Sequence, residues 1–347
     1  MAFYAQRLIS ILAFSFLFIT ASSLFLGSGT ALAAERGEVT GGAAHALPDW
    51  FKESFLDIAD DVEEASDEDR HVMLFFHLSN CPYCNRMLSE SFETDPVKSY
   101  IQEHFDVIVI NIKGDREVAF DEDTSVSEKA LAEQLNVFAT PAIMFLNKDN
   151  QAVARVDGYR APPRFQQVLN YVNDQVYNDK ITLKDYLDKN LDRQVYTLRD
   201  NPVFSKTKDL SAIKGPLMII FEDGTCLDCP EFHERVLAHE DVMSEMKPYT
   251  VVRLDTGSTE EIIDPEGNKT TADAMTDALN MTYRPGVAVY DEGKLIARMD
   301  SLLYSFHFKE RLRYISGRYY KTEEYRDYSE KRREELLSKG VDIYLGN

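Results

Sequence analysis

The sequence predicts an α/β protein built as two tandem modules, each a central mixed sheet flanked by helices. Three observations predict it. The four cysteines fall into two Cys-x-x-Cys pairs, Cys81/Cys84 and Cys226/Cys229, each shortly after a short apolar run. Landmarks recur at nearly one offset, Cys81 with Cys226 and Val97 with Val242 at 145 residues, Pro141 with Pro285 at 144. The same order of strand-like and helix-like segments returns around each pair, which reads as a diverged internal duplication. With 347 residues the chain has room for two cores, at about 100–200 residues per domain.

Taken in order, Arg7, an apolar run over 8–26 and Ala31-Leu32-Ala33 read as an export signal spanning 1–33, cleaved after Ala33. An uncleaved membrane anchor is the alternative, since the run approaches the ~20 residues a span needs. There is no cysteine at the cleavage site to carry a lipid. The expected location is therefore the periplasm. Residues 47–70 are acidic, and Trp50, Phe51, Phe55, Leu56 and Ile58 are spaced to give a helix an apolar face. Residues 72–77 read as a buried strand. Pro82 suits a first helical position, where its missing N–H costs nothing, so Cys81 is expected at a helix N-terminus. A helix over 96–104, a strand over 105–112 and a helix over 127–135 capped by serine follow. Strands at 142–146 and 152–156 form a hairpin, and a helix over 163–177 closes the module.

The second half repeats this order, with strands at 217–221 and 250–254, a helix over 271–279, a hairpin of 286–290 and 294–299, and a helix from near Phe306. Between the halves, residues 178–215 are polar with a helical stretch at 183–191. Residues 321–339, dense in both charge signs, read as a solvated helix. The expected organisation is a signal at 1–33, a first domain at 34–178, a helical linker at 179–210, a second domain at 211–320 and a charged helical tail at 321–347.

A net charge of -21, from 59 acidic and 38 basic side chains, argues against nucleic acid as a partner. Both cysteine pairs have the Cys-x-x-Cys form, leaving no cysteine for a structural framework, so in an exported chain they are available for chemistry. Disulfide exchange needs one attacking thiolate and a second thiol near enough to resolve the mixed disulfide. Two intervening residues supply that at a helix end, whose dipole favours charge on the first sulfur. Cys81 and Cys226 are the expected nucleophiles, Cys84 and Cys229 the resolving thiols. Zinc is the competing reading, but the pairs are separated by most of a domain and no histidine pair stands at ligand spacing, so no metal or other cofactor is expected. Thr140-Pro141 and Arg284-Pro285 are expected to be cis, which leaves the preceding backbone free to pair with an extended peptide. These four residues are the substrate-binding candidates. His77 and Glu222, each four residues before a first cysteine, are candidate proton acceptors, with a strand-end role as the alternative.

This order of parts resembles the thioredoxin superfamily over nearly all of the chain beyond residue 33. The first module is also similar to the SoxW-like periplasmic thioredoxins, on Cys81-Pro82-Tyr83-Cys84 with Arg86-Met87, Gly114-Asp115-Arg116-Glu117-Val118, Ser127-Glu128-Lys129, Thr140-Pro141 and Gly158-Tyr159. The resemblance implies two tandem thioredoxin-like domains, Cys81 and Cys84 as a redox pair, Pro141 as a cis proline, and reduction of protein disulfides in the periplasm. Compartment and family imply a membrane electron donor of the DsbD or CcdA type. Two departures stand out. Phe75 occupies the position where thioredoxins carry a buried carboxylate, and the second pair has Asp228 inside it and Pro230 immediately after it. Asp228 is expected to oppose a neighbouring thiolate. The function expected is a protein-disulfide reductase. The alternatives are a disulfide isomerase or oxidant, an internal relay between two unlike pairs, and a peptide-binding scaffold with one or both pairs inactive.

Overall fold

A strand covered on both faces must be apolar at nearly every position, and β1 (His71–His77) and the later β6 meet that condition. In the computed structural model, which describes residues 35–121, 123–190 and 194–346, each is a central strand of its sheet. The expected signal at 1–33 lies outside the described residues. From Arg36 onward the described chain forms one compact unit. Among the described residues no helix is long and apolar enough to cross a membrane.

The first module runs α1 (Ile58–Asp67), β1, α2 (Pro82–Met87), α3 (Val97–His104), β2 (Phe105–Asn111), α4 (Glu128–Gln134), β3 (Ala142–Leu146), β4 (Ala152–Asp157) and α5 (Pro162–Asn173). Its sheet has the order β2-β1-β3-β4, with β1 parallel to β2 and the other pairings antiparallel. Successive residues of β1 serve opposite faces: Met73 and Phe75 join a core with Phe92, Ile101 and Phe165, while Val72, Leu74 and Phe76 join another with Ile58, Val62 and Leu131.

The second module runs β5 (Phe204–Ser205), β6 (Leu217–Glu222), α6 (Cys229–Glu231), α7 (Glu240–Met246), β7 (Thr250–Asp255), α8 (Ala272–Ala278), β8 (Gly286–Asp291), β9 (Lys294–Met299) and α9 (Ser305–Ser316). The sheet order β9-β8-β6-β7-β5 repeats the first plan and adds the short parallel edge strand β5, contributed by the polar segment between the modules. That segment also forms a helix, Leu183–Lys189, whose Leu187 is buried in the first module's core.

Several expectations change. The apolar spacing at 47–70 yields a helix only from Ile58, because the Ser54 hydroxyl accepts the Leu56 amide, the Asp57 carboxylate accepts that of Asp60, and Leu56 adopts φ 65°. Phe55 is left fully exposed while Phe51 packs inside. A hairpin of Glu117–Asp121 and Thr124–Ser127, not expected from the sequence, lies between β2 and α4. In the tail, helix Tyr325–Ser338 buries Tyr328 against the second core, and Ile343–Tyr344 then pairs with Val39–Thr40 near the other end of the described chain.

The two modules meet through the elements around their cysteine pairs. Arg86 forms a two-pronged ion pair with Glu231, at 3.2 and 3.0 Å. These residues are equivalent under the 145-residue offset, so a pseudo-two-fold axis passes between them. Arg160, 1% exposed, donates to the carbonyls of Asp157, Tyr159 and Asp300 and to the Thr282 hydroxyl. Opposite it Gly158, at φ 82°, lies so close to Ser301 that a Cβ would come within 2.3 Å of the serine Cβ. Removing a buried cation from such a set leaves its partners unsatisfied, so Arg160→Ala is expected to cost about 3 kcal/mol, read as a shift in urea unfolding of the full chain; an unchanged midpoint would mean that the contact contributes nothing.

Candidate active site

The first pair sits where strand β1 gives way to helix α2. Cys81 is the N-cap of that helix, with extended backbone, and its sulfur accepts the Cys84 amide at 3.0 Å. Its carbonyl accepts the Asn85 amide, also at 3.0 Å. Amides at a helix start have no intrahelical partner, and here one of them is satisfied by sulfur. The Thr140 hydroxyl donates to the same sulfur at 3.3 Å, and the Thr140 carbonyl lies 3.5 Å from it. The Pro141 carbonyl accepts the Gly158 amide, which ties this loop to the start of the next segment. Thus Cys81, Cys84, Thr140 and Pro141 come together. The Thr140–Pro141 and Arg284–Pro285 peptide bonds are cis, as is Asp95–Pro96, which the sequence reading had not singled out.

Both pairs are disulfide-bonded, and neither is open to solvent: Cys81 is 5% exposed and Cys226 2%. The second module packs beside the first pair, on the residue between its cysteines. Tyr283, Leu302 and Tyr304 join the first core, and the Tyr304 ring stacks on Tyr83 at 4.4 Å. The Tyr304 amide donates to the Tyr83 hydroxyl at 2.8 Å, and that hydroxyl lies 2.9 Å from His307 Nδ1.

The second pair is built differently. Pro230 occupies the place of Asn85 and has no amide hydrogen, so the bond that closes the first turn at Cys81 cannot form at Cys226. The helix therefore begins at Cys229 with Asp228 as its cap, and its first bond runs from the Phe232 amide to the Asp228 carbonyl. This corrects the expectation that Cys226, like Cys81, stands at a helix N-terminus. Asp228 is buried and accepts the Tyr283 hydroxyl at 2.7 Å; burial raises its carboxyl pKa, an effect the Tyr283 bond opposes. Arg284 turns inward and donates to Asp223 at 3.2 Å and to Thr256 at 3.3 Å, joining the Pro285 loop to the turn before Cys226. Burial alone would raise the Asp223 carboxyl, but hydrogen bonds from Thr225 and Thr256 and the Arg284 charge bring it below the usual range.

Of the two candidate proton acceptors, Glu222 is fully buried, 2.6 Å from His233 Nε2, and accepts the Tyr196 hydroxyl at 3.4 Å. Tyr196 in turn packs on Cys226 and Cys229, held by bonds from the Val195 and Tyr196 amides to the Gly224 carbonyl. His77 instead pairs with His45 at 3.1 Å at the strand end. Sequence reasoning missed Tyr196 as a lid on the second pair and Tyr83, Arg86 and Arg160 as contacts between modules. The opposite charges of Arg86 and Glu231 at the repeat offset were the one available signal.

A family model described as a thioredoxin-like domain matches residues 58–173 and again 203–316. Among solved structures, a thioredoxin-fold protein from Helicobacter pylori is similar at 23% identity over 40% of this chain and 92% of its own, with a TM-score of 0.32. A thioredoxin from Thermus thermophilus matches at 24% identity over 33% of this chain and 83% of its own, TM-score 0.27. The C-terminal domain of DsbD from Neisseria meningitidis in its oxidised form matches at 16% over 33% and 90%, TM-score 0.24. No curated protein matches the sequence.

Acid should loosen this arrangement. Burial pushes the His307 pKa down to about 4, with the Arg311 charge adding to it, and burial, with a smaller contribution from His45, does the same to His77. Unfolded, both titrate near 6.5, so between pH 6.5 and 4 the unfolded chain binds protons that the folded one refuses. Stability is full above that window and falls as pH drops through it, by about 3 kcal/mol for the buried His307 and less for the half-buried His77. Urea unfolding at pH 7 and pH 4.5 measures the loss, and His307→Gln should remove its share of the pH dependence.

Proposed function

Since the chain belongs to the thioredoxin-like domain family, we propose that it is a thiol-disulfide oxidoreductase working as a protein-disulfide reductase in the periplasm, with Cys81 and Cys84 as its working pair. The observation that carries this reading is the sulfur of Cys81, held at a helix start where the Cys84 amide and the Thr140 hydroxyl both point at it. Donors aimed at a sulfur stabilise its thiolate, the form that attacks.

In the reducing direction, the Cys81 thiolate attacks a substrate disulfide and releases one substrate thiolate. Cys84 then attacks Cys81 Sγ, which frees the second substrate thiol and leaves the Cys81–Cys84 disulfide. The Thr140–Pro141 loop beside Cys81 is the expected cradle for an extended substrate segment, with the Arg284–Pro285 loop in the same place in the second module. A membrane donor of the DsbD or CcdA type would return the electrons. Because both cysteines of the first pair are buried, a protein substrate requires the structure around them to open.

Cys81→Ser should lower the rate of insulin-disulfide reduction at least a hundredfold, and unchanged turnover would remove the first pair from the reaction. A second reading, a disulfide oxidant, has one observation in its favour, because stabilising the reduced form of a pair makes its disulfide more oxidising. Equilibration of the first pair against glutathione separates the two: a potential near about -270 mV fits a reductase, one near about -120 mV an oxidant.

A further inference from the structure

The two pairs differ in the hydrogen bonds around the first cysteine and share one interface. At Cys81 the Asn85 amide closes the first turn and the Cys84 amide reaches the sulfur. At the equivalent place Pro230 has no amide hydrogen, the helix starts two residues later than in the first module, and among the described residues no counterpart bond reaches Cys226 Sγ. The first pair's reduced form is thus favoured relative to the second's, so electrons placed on the second pair run downhill to the first.

The interface supplies a route. The residues of the second module that lie against the first include Glu231, two positions beyond Cys229, Tyr283, two before Pro285, and the turn at Asp300–Tyr304. Asp300 accepts the amides of Thr282 and Tyr283 while its carbonyl accepts from Arg160, so the same contact orders the second Pro loop and joins the modules. The cysteine-bearing ends of the two modules thus meet about the pseudo-two-fold axis, with both pairs buried and Tyr196 lying on the second. Tethering in one chain holds them at the millimolar effective concentrations typical of short linkers.

We propose that the protein carries out an internal relay in which the Cys226/Cys229 dithiol reduces the Cys81–Cys84 disulfide. The inference rests on the exchange chemistry proposed above and adds its direction between modules. With the faces displaced about the Arg86–Glu231 contact, the Cys226 thiolate attacks Cys81 Sγ, breaking the Cys81–Cys84 bond and leaving Cys84 as thiolate. Cys229 then attacks Cys226 Sγ, forming the Cys226–Cys229 disulfide and releasing Cys81. Two electrons pass to the first pair, and the two protons lost by Cys226 and Cys229 are balanced by two taken up at Cys81 and Cys84. An external dithiol recharges the second pair.

The test uses the full-length oxidised protein, given one equivalent of dithiothreitol and held to equilibrium, with free thiols alkylated and located by mass spectrometry. The first pair should carry the label in at least tenfold excess over the second, which for a two-electron couple is about 30 mV. Equal labelling, or an excess on Cys226 and Cys229, overturns the direction. Pro230→Asn, with folding checked by circular dichroism, should shrink the excess; an unchanged ratio in the folded variant removes the cap as its cause and overturns the argument. A Cys84→Ser/Cys229→Ser chain should form an intramolecular Cys81–Cys226 disulfide under mild oxidation at a rate independent of protein concentration, and failure to form it overturns the relay. None of these measurements involves a protein substrate, so they stand apart from the insulin result.

Discussion

The first amide hydrogens of a helix have no carbonyl within the helix to receive them, and the chemistry of this protein depends on what receives them instead. At Cys81 the acceptor is the sulfur itself, so helix formation and thiolate stabilisation are one interaction. The strand before it is buried on both faces and the Pro141 loop is held by the Gly158 amide, so the geometry around the sulfur is imposed by the core rather than left to a mobile loop. A single change in the second module, a proline where the first has Asn85, moves the helix start and separates Cys226 from any such bond. Duplication has therefore preserved the fold while making two chemically unlike pairs.

The same duplication explains the way the modules pack. A self-complementary contact between two copies brings equivalent residues together on its axis, and Arg86 with Glu231 is that contact with the charges made opposite. Away from the axis the symmetry is broken by side-chain choice. Tyr83 stacks on Tyr304, whereas its equivalent, Asp228, accepts a hydrogen bond from Tyr283 of its own module. Arg160 is fully buried between the two and donates mainly to backbone carbonyls, whose positions are fixed by the sheets behind them. In both modules the helix after the pair widens into a π-type segment, Leu88–Phe92 and Phe232–Leu237, a feature often found near functional sites.

Much of this was legible in the residues because the signals are local. An apolar run long enough for one strand, a Pro at a first helical position, a serine cap before the fourth helix, and a two-residue spacing between cysteines each act within a few positions, and all led to elements that are present. The reading failed where two local signals competed. Around residues 47–57 the apolar spacing favoured a helix, but Ser54 and Asp57 take up the amides that would have continued it. Pro230 was visible as a departure, yet its consequence needed the helix register that shows which carbonyl loses its donor.

The sequence alone determined that there are two thioredoxin-like modules, that each carries a cysteine pair at a strand-to-helix junction, and that a proline loop accompanies each pair. Only the tertiary structure decided what covers those pairs. Tyr196 of the connecting segment lies on the second pair, and the contacts that pack the modules together, Arg86 with Glu231, Arg160 with the Asp300 carbonyl and the Tyr304 amide with Tyr83, join residues 140 to 221 positions apart. No periodicity or spacing within a segment encodes such a contact, because it depends on how two finished surfaces fit, and burial of the sulfurs follows from that fit.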